Sequence, residues 1–172
     1  MKLDSDDFEL FGLERRFALD RAMLDERRRT LQAQTHPDKF AAQGAAAQRV
    51  ALQWAVRVNE AYERLKDPLH RAAYLCELQG QRIDAQNNTT MPAAFLMRQM
   101  ELREALDDAR TTAQIESLEG NLAAERAVAL LRLENLLDVQ RDASAAAREV
   151  RALMFLERFA ADIDARLEAL GQ

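Results

Sequence analysis

The 172-residue sequence predicts an all-α protein in two parts, a small N-terminal helical domain and a C-terminal antiparallel three-helix bundle. Three observations predict this fold class. Glycine and proline number only 5 and 3, too few for the frequent turns that a β-sandwich or barrel needs. Apolar residues recur at spacings of three and four along several segments, as on one face of an α-helix. Apolar types make up 48% of the chain and charged types 31%, which allows a core and a solvated surface.

The first two helices are bounded by residues that commonly start and stop helices. A short helix over residues 6–11 begins with acidic side chains and ends at Gly12. A second helix starts after Asp20, a good N-cap residue, and runs to about Thr35. Pro37 ends it, because proline disfavours helical geometry in the residue before it.

Two more helices complete the N-terminal domain after a predicted loop through Gly44. The helix over about residues 45–66 carries one apolar stripe, made of Val50, Trp54, Val58, Ala61, Tyr62 and Leu65. Asp67 and Pro68 then open a helix that ends near Gln79, since aspartate caps well and proline suits the first helical position. The predicted first domain therefore spans residues 1–79.

The C-terminal part begins after a polar, turn-rich linker over residues 80–91, and the predicted bundle spans residues 92–172. Its three long helices are predicted over residues 92–110, 112–140 and 143–170. The last helix carries a seam with alternating spacings of three and four, formed by Leu153, Leu156, Ala160, Ile163, Leu167 and Leu170.

Charge and composition exclude several classes of function. The net charge is −5, and it comes from residues 76–172, which carry 11 basic against 17 acidic side chains. An acidic chain with only 6% aromatic residues is a poor nucleic-acid binder. A single cysteine, Cys76, and two histidines predict neither a disulfide nor a metal cluster. Acidic residues at the start of the chain and the lack of a long apolar run predict a cytoplasmic protein without a membrane span.

The tripeptide His36-Pro37-Asp38 lies between the second and third helices and is a weak signal when taken alone. It is compatible with a helix-stopping proline between two polar neighbours. It is also compatible with a catalytic His–Asp pair, although no nucleophile or metal-ligand cluster stands near it in the sequence.

The surroundings of this tripeptide make it specific. A basic helix precedes it and an amphipathic helix follows it, and this combination resembles the J-domain, the module that activates seventy-kilodalton heat-shock ATPase chaperones. The resemblance implies that the basic helix docks on an acidic chaperone surface while the loop favours ATP hydrolysis. The implied chaperone-binding residues are Arg27, Arg28, Arg29, His36, Pro37, Asp38 and Lys39.

Two positions depart from the J-domain pattern. Arg28 and Thr35 stand where J-domains usually carry core aromatic residues, which leaves Leu24 and Leu31 as the large inward anchors of the second helix. We expect the methylene stem of Arg28 to lie over the core with its charged head exposed.

The first helix of the bundle has apolar residues on two opposite sides. The narrow stripe predicted to face the core consists of Phe95, Gln99, Leu102, Leu106 and Ala109. The far side carries Leu96, Met97 and Met100 among Glu101, Glu104 and Asp108. Phe155 and Phe159 likewise lie off the seam of the last helix. Either the linker or first domain covers these residues, or they form a protein-binding surface for a basic partner.

The segment from Ala93 to Asp108 resembles the C-terminal domain of the iron–sulfur-assembly J-protein co-chaperones (the HscB family). Leu10-Phe11-Gly12-Leu13 and His36-Pro37-Asp38-Lys39-Phe40 agree with that family. The resemblance implies a non-enzymatic adaptor without a cofactor, which binds the iron–sulfur scaffold protein with the bundle. The implied scaffold-binding residues are Leu96, Met97, Met100, Glu101, Glu104, Asp108 and Phe155. The alternative is a general J-protein that presents unfolded clients to a chaperone.

Overall fold

The computed structural model describes residues 5–83 and 91–170, which form helices and connecting loops with no β-strand among them. Residues 84–90 of the predicted linker and the side chain of Leu170 in the predicted seam lie outside the described part. The α-helices are α1 (Asp7–Phe11), α2 (Arg21–Thr35), α3 (Ala45–Lys66), α4 (Pro68–Leu78), α5 (Ala93–Asp108), α6 (Thr112–Glu134) and α7 (Ala143–Leu170). The chain divides into two compact units, residues 1–75 and 76–172. The all-α fold, a helical hairpin unit and a three-helix bundle, is confirmed.

The short helix α1 is held at both ends by local interactions. The Asp6 carboxylate accepts a hydrogen bond from the backbone N–H of Glu9 at 2.9 Å, as an N-cap should. Gly12 closes the helix with φ 62°, a left-handed conformation that glycine adopts without a steric cost. Phe8 and Phe11 point into the core of the first unit and are almost completely buried.

A buried carboxylate attaches α1 to α3. Asp7 has no exposed surface, and its two oxygens lie 2.7 Å from the guanidinium of Arg57 and 2.8 Å from that of Arg64. Its backbone N–H donates to the Tyr74 hydroxyl at 3.1 Å. Because an unpaired buried charge is costly, these partners fix the position of α1 on α3.

Helices α2 and α3 form an antiparallel hairpin. Asp25 near the start of α2 meets Tyr62 near the end of α3, while Gln32 near the end of α2 meets Asn59. Leu24 and Leu31 are the large buried side chains of α2, as predicted. The buried residues of α3 are Ala51, Val58, Ala61, Tyr62 and Leu65.

The first turns of α3 differ from the predicted stripe. Val50 is 51% exposed, and Ala51 is buried in its place. This end of α3 packs against a 3₁₀-helix, Pro37–Gln43, which replaces the predicted loop after α2. Because the first turns of α3 contact the 3₁₀-helix, the buried side of α3 is shifted there by one residue, from Val50 to Ala51. The prediction for Val50 was therefore wrong.

The second unit packs α5, α6 and α7 around one core. Its buried side chains recur at helical spacing and include Leu102, Ile115, Leu122, Leu133, Val150, Leu153, Leu156 and Ile163. Thr111 and Gln114 form a capping box at the start of α6. The predicted helix over residues 112–140 is correct only to Glu134, because a π-helical segment, Asn135–Gln140, follows and ends at Arg141 with φ 59°.

Candidate functional site

The His36-Pro37-Asp38 segment forms a short, exposed turn at the end of the hairpin. The His36 Nδ1 atom accepts a hydrogen bond from the Asp38 backbone N–H at 3.3 Å and lies 3.5 Å from the Asp38 carboxylate. The side chains of His36 and Asp38 are 58% and 90% exposed. Pro37 occupies the first position of the 3₁₀-helix, where its missing N–H costs nothing. Both polar side chains are thus held exposed on a fixed turn.

The basic residues around this turn divide into two groups. Arg27, Arg29 and Lys39 are exposed. Arg28 instead places its guanidinium 4.0 Å from the centre of the Tyr62 ring, and its Nε is buried with no hydrogen-bond partner among the described residues. This cation–π contact supplies apolar and electrostatic packing where an aromatic residue is usual.

Tyr62 is also the centre of a polar network at the opposite end of α2. Its hydroxyl donates to Asp25 and accepts from Arg21, both at 2.8 Å. Together with the Arg21 ion pair at 2.9 Å, the Tyr62 hydrogen bond holds the pKa of Asp25 below its ordinary value. The basic face of α2 is therefore partly neutralised at its start and remains positive towards the His36 turn.

A depression of about 630 Å³ beside the turn was not predicted from the sequence. Its lining includes His36, Pro37 and Leu52, and Leu52 is 56% exposed. Val56, one helical turn further along α3, is 50% exposed. The i, i+4 spacing of Leu52 and Val56, off the buried stripe, was the signal in the sequence.

The outer side of α5 is apolar and acidic, as the sequence predicts. Leu96, Met97 and Met100 are 38%, 63% and 70% exposed, whereas Leu102 on the inner side is 1% exposed. The neighbouring acidic side chains Glu101, Glu104 and Asp108 are all exposed. Arg98 pairs with Glu101 at 3.1 Å and also with Glu125 of α6. We call Leu96, Met97, Met100, Glu101, Glu104 and Asp108 the acidic face of α5.

Phe155 does not lie on an exposed surface, which corrects the expectation from the helical pattern. It is 7% exposed, and its ring meets Phe95 edge-on at 5.8 Å between centroids and Phe159 in a stack at 5.9 Å. Phe159 is 1% exposed. In a three-helix bundle α7 borders two helices, so its buried arc is wider than a single seam. The two phenylalanines occupy the second flank of that arc.

Two observations concern metal ligands and thiols among the described residues. No group of three or more His, Cys, Asp or Glu side chains among them could hold a metal ion. Cys76 is fully buried, and burial raises the pKa of its thiol to about 11. No helix in residues 5–83 or 91–170 is long and apolar enough to cross a membrane.

Comparison with protein families and curated proteins gives consistent matches. Residues 91–164 match the family model described as the HSCB C-terminal oligomerisation domain. A co-chaperone protein HscB homologue from Burkholderia vietnamiensis is 50% identical over 173 residues, covering 99% of this chain and 98% of the relative.

Comparison with solved structures likewise covers both units. The chaperone HscB from Vibrio cholerae superposes with a TM-score of 0.84 at 35% identity, covering 96% of this chain and 99% of the other. The human co-chaperone protein HscB gives a TM-score of 0.89 at 26% identity, covering 96% and 83%. Full-length similarity at this level, together with the His36 turn and the acidic face of α5, shows that the chain belongs to the HscB family of J-domain co-chaperones.

Proposed function

We propose that this protein is an adaptor in iron–sulfur cluster assembly that binds two proteins with its two units. In this proposal, residues 1–79 act as the J-domain and residues 92–172 bind the iron–sulfur scaffold protein, with residues 80–91 as the linker. The observation that carries it is an exposed His-Pro-Asp turn on one unit and an exposed apolar, acid-rimmed helix face on the other. We assign the protein no catalytic step of its own. The free thiol of Cys76 suits the reducing cytoplasm.

The chaperone partner is a seventy-kilodalton heat-shock-type ATPase. Arg27, Arg29 and Lys39 give the hairpin an exposed positive charge that attracts an acidic surface and speeds encounter. His36, Pro37 and Asp38 then contact the chaperone from the fixed turn and favour ATP hydrolysis. Arg28 takes part through its position against Tyr62, because its head group is packed on that ring.

The scaffold partner binds the acidic face of α5. Met97 and Met100 are flexible and more than half exposed, and side chains of this type fit an apolar partner surface at little cost. Glu104 and Asp108 beside them favour a basic partner. Phe155 of α7 contributes indirectly, because its buried ring packs against Phe95 of α5 and supports that helix.

The central experiment measures ATP hydrolysis by the dedicated chaperone with this protein, with the scaffold protein, and with both. We expect the two together to raise the rate by more than the sum of their separate effects. Equal stimulation by any unfolded polypeptide in place of the scaffold would instead show a general J-protein that presents unfolded clients.

The two histidines provide a matched pair of variants. We expect His36→Gln to abolish stimulation of the chaperone while scaffold binding and thermal stability stay unchanged. His70→Gln removes a histidine of α4 that is similarly exposed, 66% against 58% for His36, and should keep full stimulation. Loss of scaffold binding in His36→Gln would show that the two binding activities are not separable.

The scaffold surface has a matched control in the same bundle. Replacing Leu96, Met97 and Met100 together by alanine should weaken scaffold binding by about 2 kcal/mol or more, as for the centre of an interface. Val128 and Leu131 are 47% and 68% exposed on α6, so their alanine variants remove similar exposed apolar groups elsewhere. Isothermal titration calorimetry should show no change for that control. An equal loss in both sets would contradict the assignment to α5.

A further inference from the structure

A groove in the bundle has the opposite charge to the acidic face of α5. It has a volume of about 490 Å³ and lies between α5 and α7. Phe95, Phe155 and Phe159 form its apolar lining. Arg103 of α5 and Arg151 and Arg158 of α7 supply three positive charges, against one acid, Asp162. This groove is basic although residues 76–172 as a whole are acidic.

Among the residues that the structure describes, the three arginines of this groove lack the ion pairs that other arginines of the bundle make. Arg98 pairs with Glu125, Arg126 with Glu157 and Arg132 with Glu149. Within the described residues, no carboxylate lies within ion-pair distance of the arginines of the groove. The Nε of Arg151 is buried and has no hydrogen-bond partner there. Three like charges in one groove repel each other, and an external anion would relieve that repulsion.

The aromatic lining adds a second requirement on the ligand. The Arg103 guanidinium lies 6.0 Å from the centre of the Phe155 ring, so the charged and aromatic groups are next to each other. A ligand that satisfies both needs a carboxylate beside a large apolar group. An acidic polypeptide segment with an aromatic or aliphatic anchor has this composition, and grooves between helices are a common place for proteins to bind peptide segments.

We infer that this basic groove is a docking site for an acidic, apolar segment of a partner protein. The groove borders the acidic face of α5 and shares Phe155 with the proposed scaffold site, but its charge is opposite to that of the acidic face, which attracts a basic partner. The inference goes beyond the proposed function, since it does not depend on which protein supplies the segment. Phe155, expected from the sequence to bind the scaffold from an exposed position, is here the floor of the groove.

The test uses the full-length protein and three short synthetic peptides, followed by amide chemical shifts in NMR titrations. The first peptide has a phenylalanine flanked by glutamates, the second has lysines for the glutamates, and the third has alanine for the phenylalanine. We expect the first peptide to shift amides of Met91–Arg103 and Arg151–Asp162, and the other two to bind about tenfold more weakly or worse. Equal binding of the lysine peptide, or no binding of the first at about 1 mM, would overturn the inference.

Two double variants that remove the same number of charges test whether the peptide binds at the groove. Arg103→Gln with Arg158→Gln should weaken binding of the first peptide by about tenfold. Arg110→Gln with Arg141→Gln removes two exposed arginines outside the groove and should leave binding unchanged. Equal effects of the two double variants would overturn the inference.

A second copy of this chain is the competing occupant, and sedimentation velocity without peptide tests it. The wild-type protein should sediment as a monomer at the concentrations of the titration. A dimer that the Arg103→Gln, Arg158→Gln variant abolishes would show that another copy fills the groove, against the inference.

Discussion

Arg28 occupies a position where J-domains usually carry an aromatic residue, and it stabilises the same hairpin by a different interaction. Its guanidinium lies on the Tyr62 ring at 4.0 Å, closer than Arg21 or Lys66, which are both at 5.5 Å. Thr35, the other departure, is 4% exposed and satisfies its hydroxyl on the Leu31 carbonyl at 2.9 Å. Both departures from the pattern are therefore compensated locally.

The three consecutive arginines of α2 should contribute unequally to the free energy of unfolding. Arg28→Gln removes the contact with Tyr62 and should lower the free energy of unfolding by about 1 kcal/mol. Arg27→Gln and Arg29→Gln remove exposed charges and should change it by less than about 0.5 kcal/mol. Urea unfolding followed by circular dichroism measures all three. Similar losses in the three variants would show that the ring contact contributes nothing.

The buried thiol of Cys76 gives a pH dependence with a defined sign. Burial raises its pKa in the folded protein to about 11, against an ordinary value of 9.0. Above the ordinary value the unfolded chain releases this proton and the folded chain keeps it, so unfolding becomes more favourable. The contribution of the neutral thiol is complete below pH 9.0 and is lost as the pH rises towards about 11.

The measurement compares the wild-type protein with Cys76→Ala in urea melts across this pH range. The wild-type protein should lose more stability than the variant between these two pH values. The comparison cancels the titration of other groups, including Tyr74, whose pKa burial also raises. Parallel curves for the two proteins would contradict the prediction.

Helix α5 has a buried side and an exposed side. Substitutions on the buried side should lower stability much more than substitutions on the exposed side. Leu102 is 1% exposed and Phe155, which packs against Phe95 of this helix, is 7% exposed. Leu102→Ala or Phe155→Ala should each lower stability by about 3 kcal/mol, because each leaves a cavity in the core. Met97→Ala and Met100→Ala should each change it by less than about 0.5 kcal/mol.

Thermal and urea melts of the four variants check this division. The prediction for Phe155 is the decisive one, since the helical pattern placed it outside the core. A Phe155→Ala protein as stable as Met97→Ala would contradict the packing described for α7.

The helices that end at proline, glycine or a capping residue were predictable from the sequence. Pro37, Asp67 and Gly12 fix local backbone geometry, so the bounds near them agree with the structure. The 3₁₀-helix after Pro37 and the π-helical segment before Arg141 were not predicted. Both segments are too short for a repeat of apolar residues that would distinguish them from a loop or an α-helix. Their geometry depends on neighbouring elements.

The candidate site was predictable where it depends on one helix and not where it depends on two. The outward direction of Met97 and Met100 follows from the position of Leu102 on the same helix. The burial of Phe155 and the convergence of Arg103 with Arg158 depend on how α5 and α7 pack, which spacing within a single helix does not specify.

At the scale of the whole molecule, charge is distributed unequally between the two parts of the chain. Residues 1–75 carry 13 basic and 12 acidic side chains, whereas residues 76–172 carry 11 and 17. The two parts therefore differ in net charge, with +1 (13 − 12) for residues 1–75 and −6 (11 − 17) for residues 76–172. Long-range attraction of this kind changes association rates more than dissociation rates.

Salt should accordingly slow the encounter with the chaperone. Raising the ionic strength from about 0.05 M to about 0.5 M shortens the screening length and should reduce the association rate constant by about tenfold. The dissociation rate constant should change much less. Stopped-flow fluorescence of labelled protein measures both. The Arg27→Gln, Arg29→Gln variant should show a smaller dependence on salt, and an unchanged one would contradict the role of these side chains.

Helix α5 has Arg103 on the edge that borders the basic groove and Glu101, Glu104 and Asp108 towards its other edge. A ligand that crosses this helix meets a charge gradient perpendicular to the helix axis. If the same ligand bound in the reverse direction, its acidic groups would face the acidic side chains of α5. Such a juxtaposition of like charges costs several kcal/mol. For the acidic segment inferred to bind the basic groove, this gradient therefore favours one orientation of the bound chain.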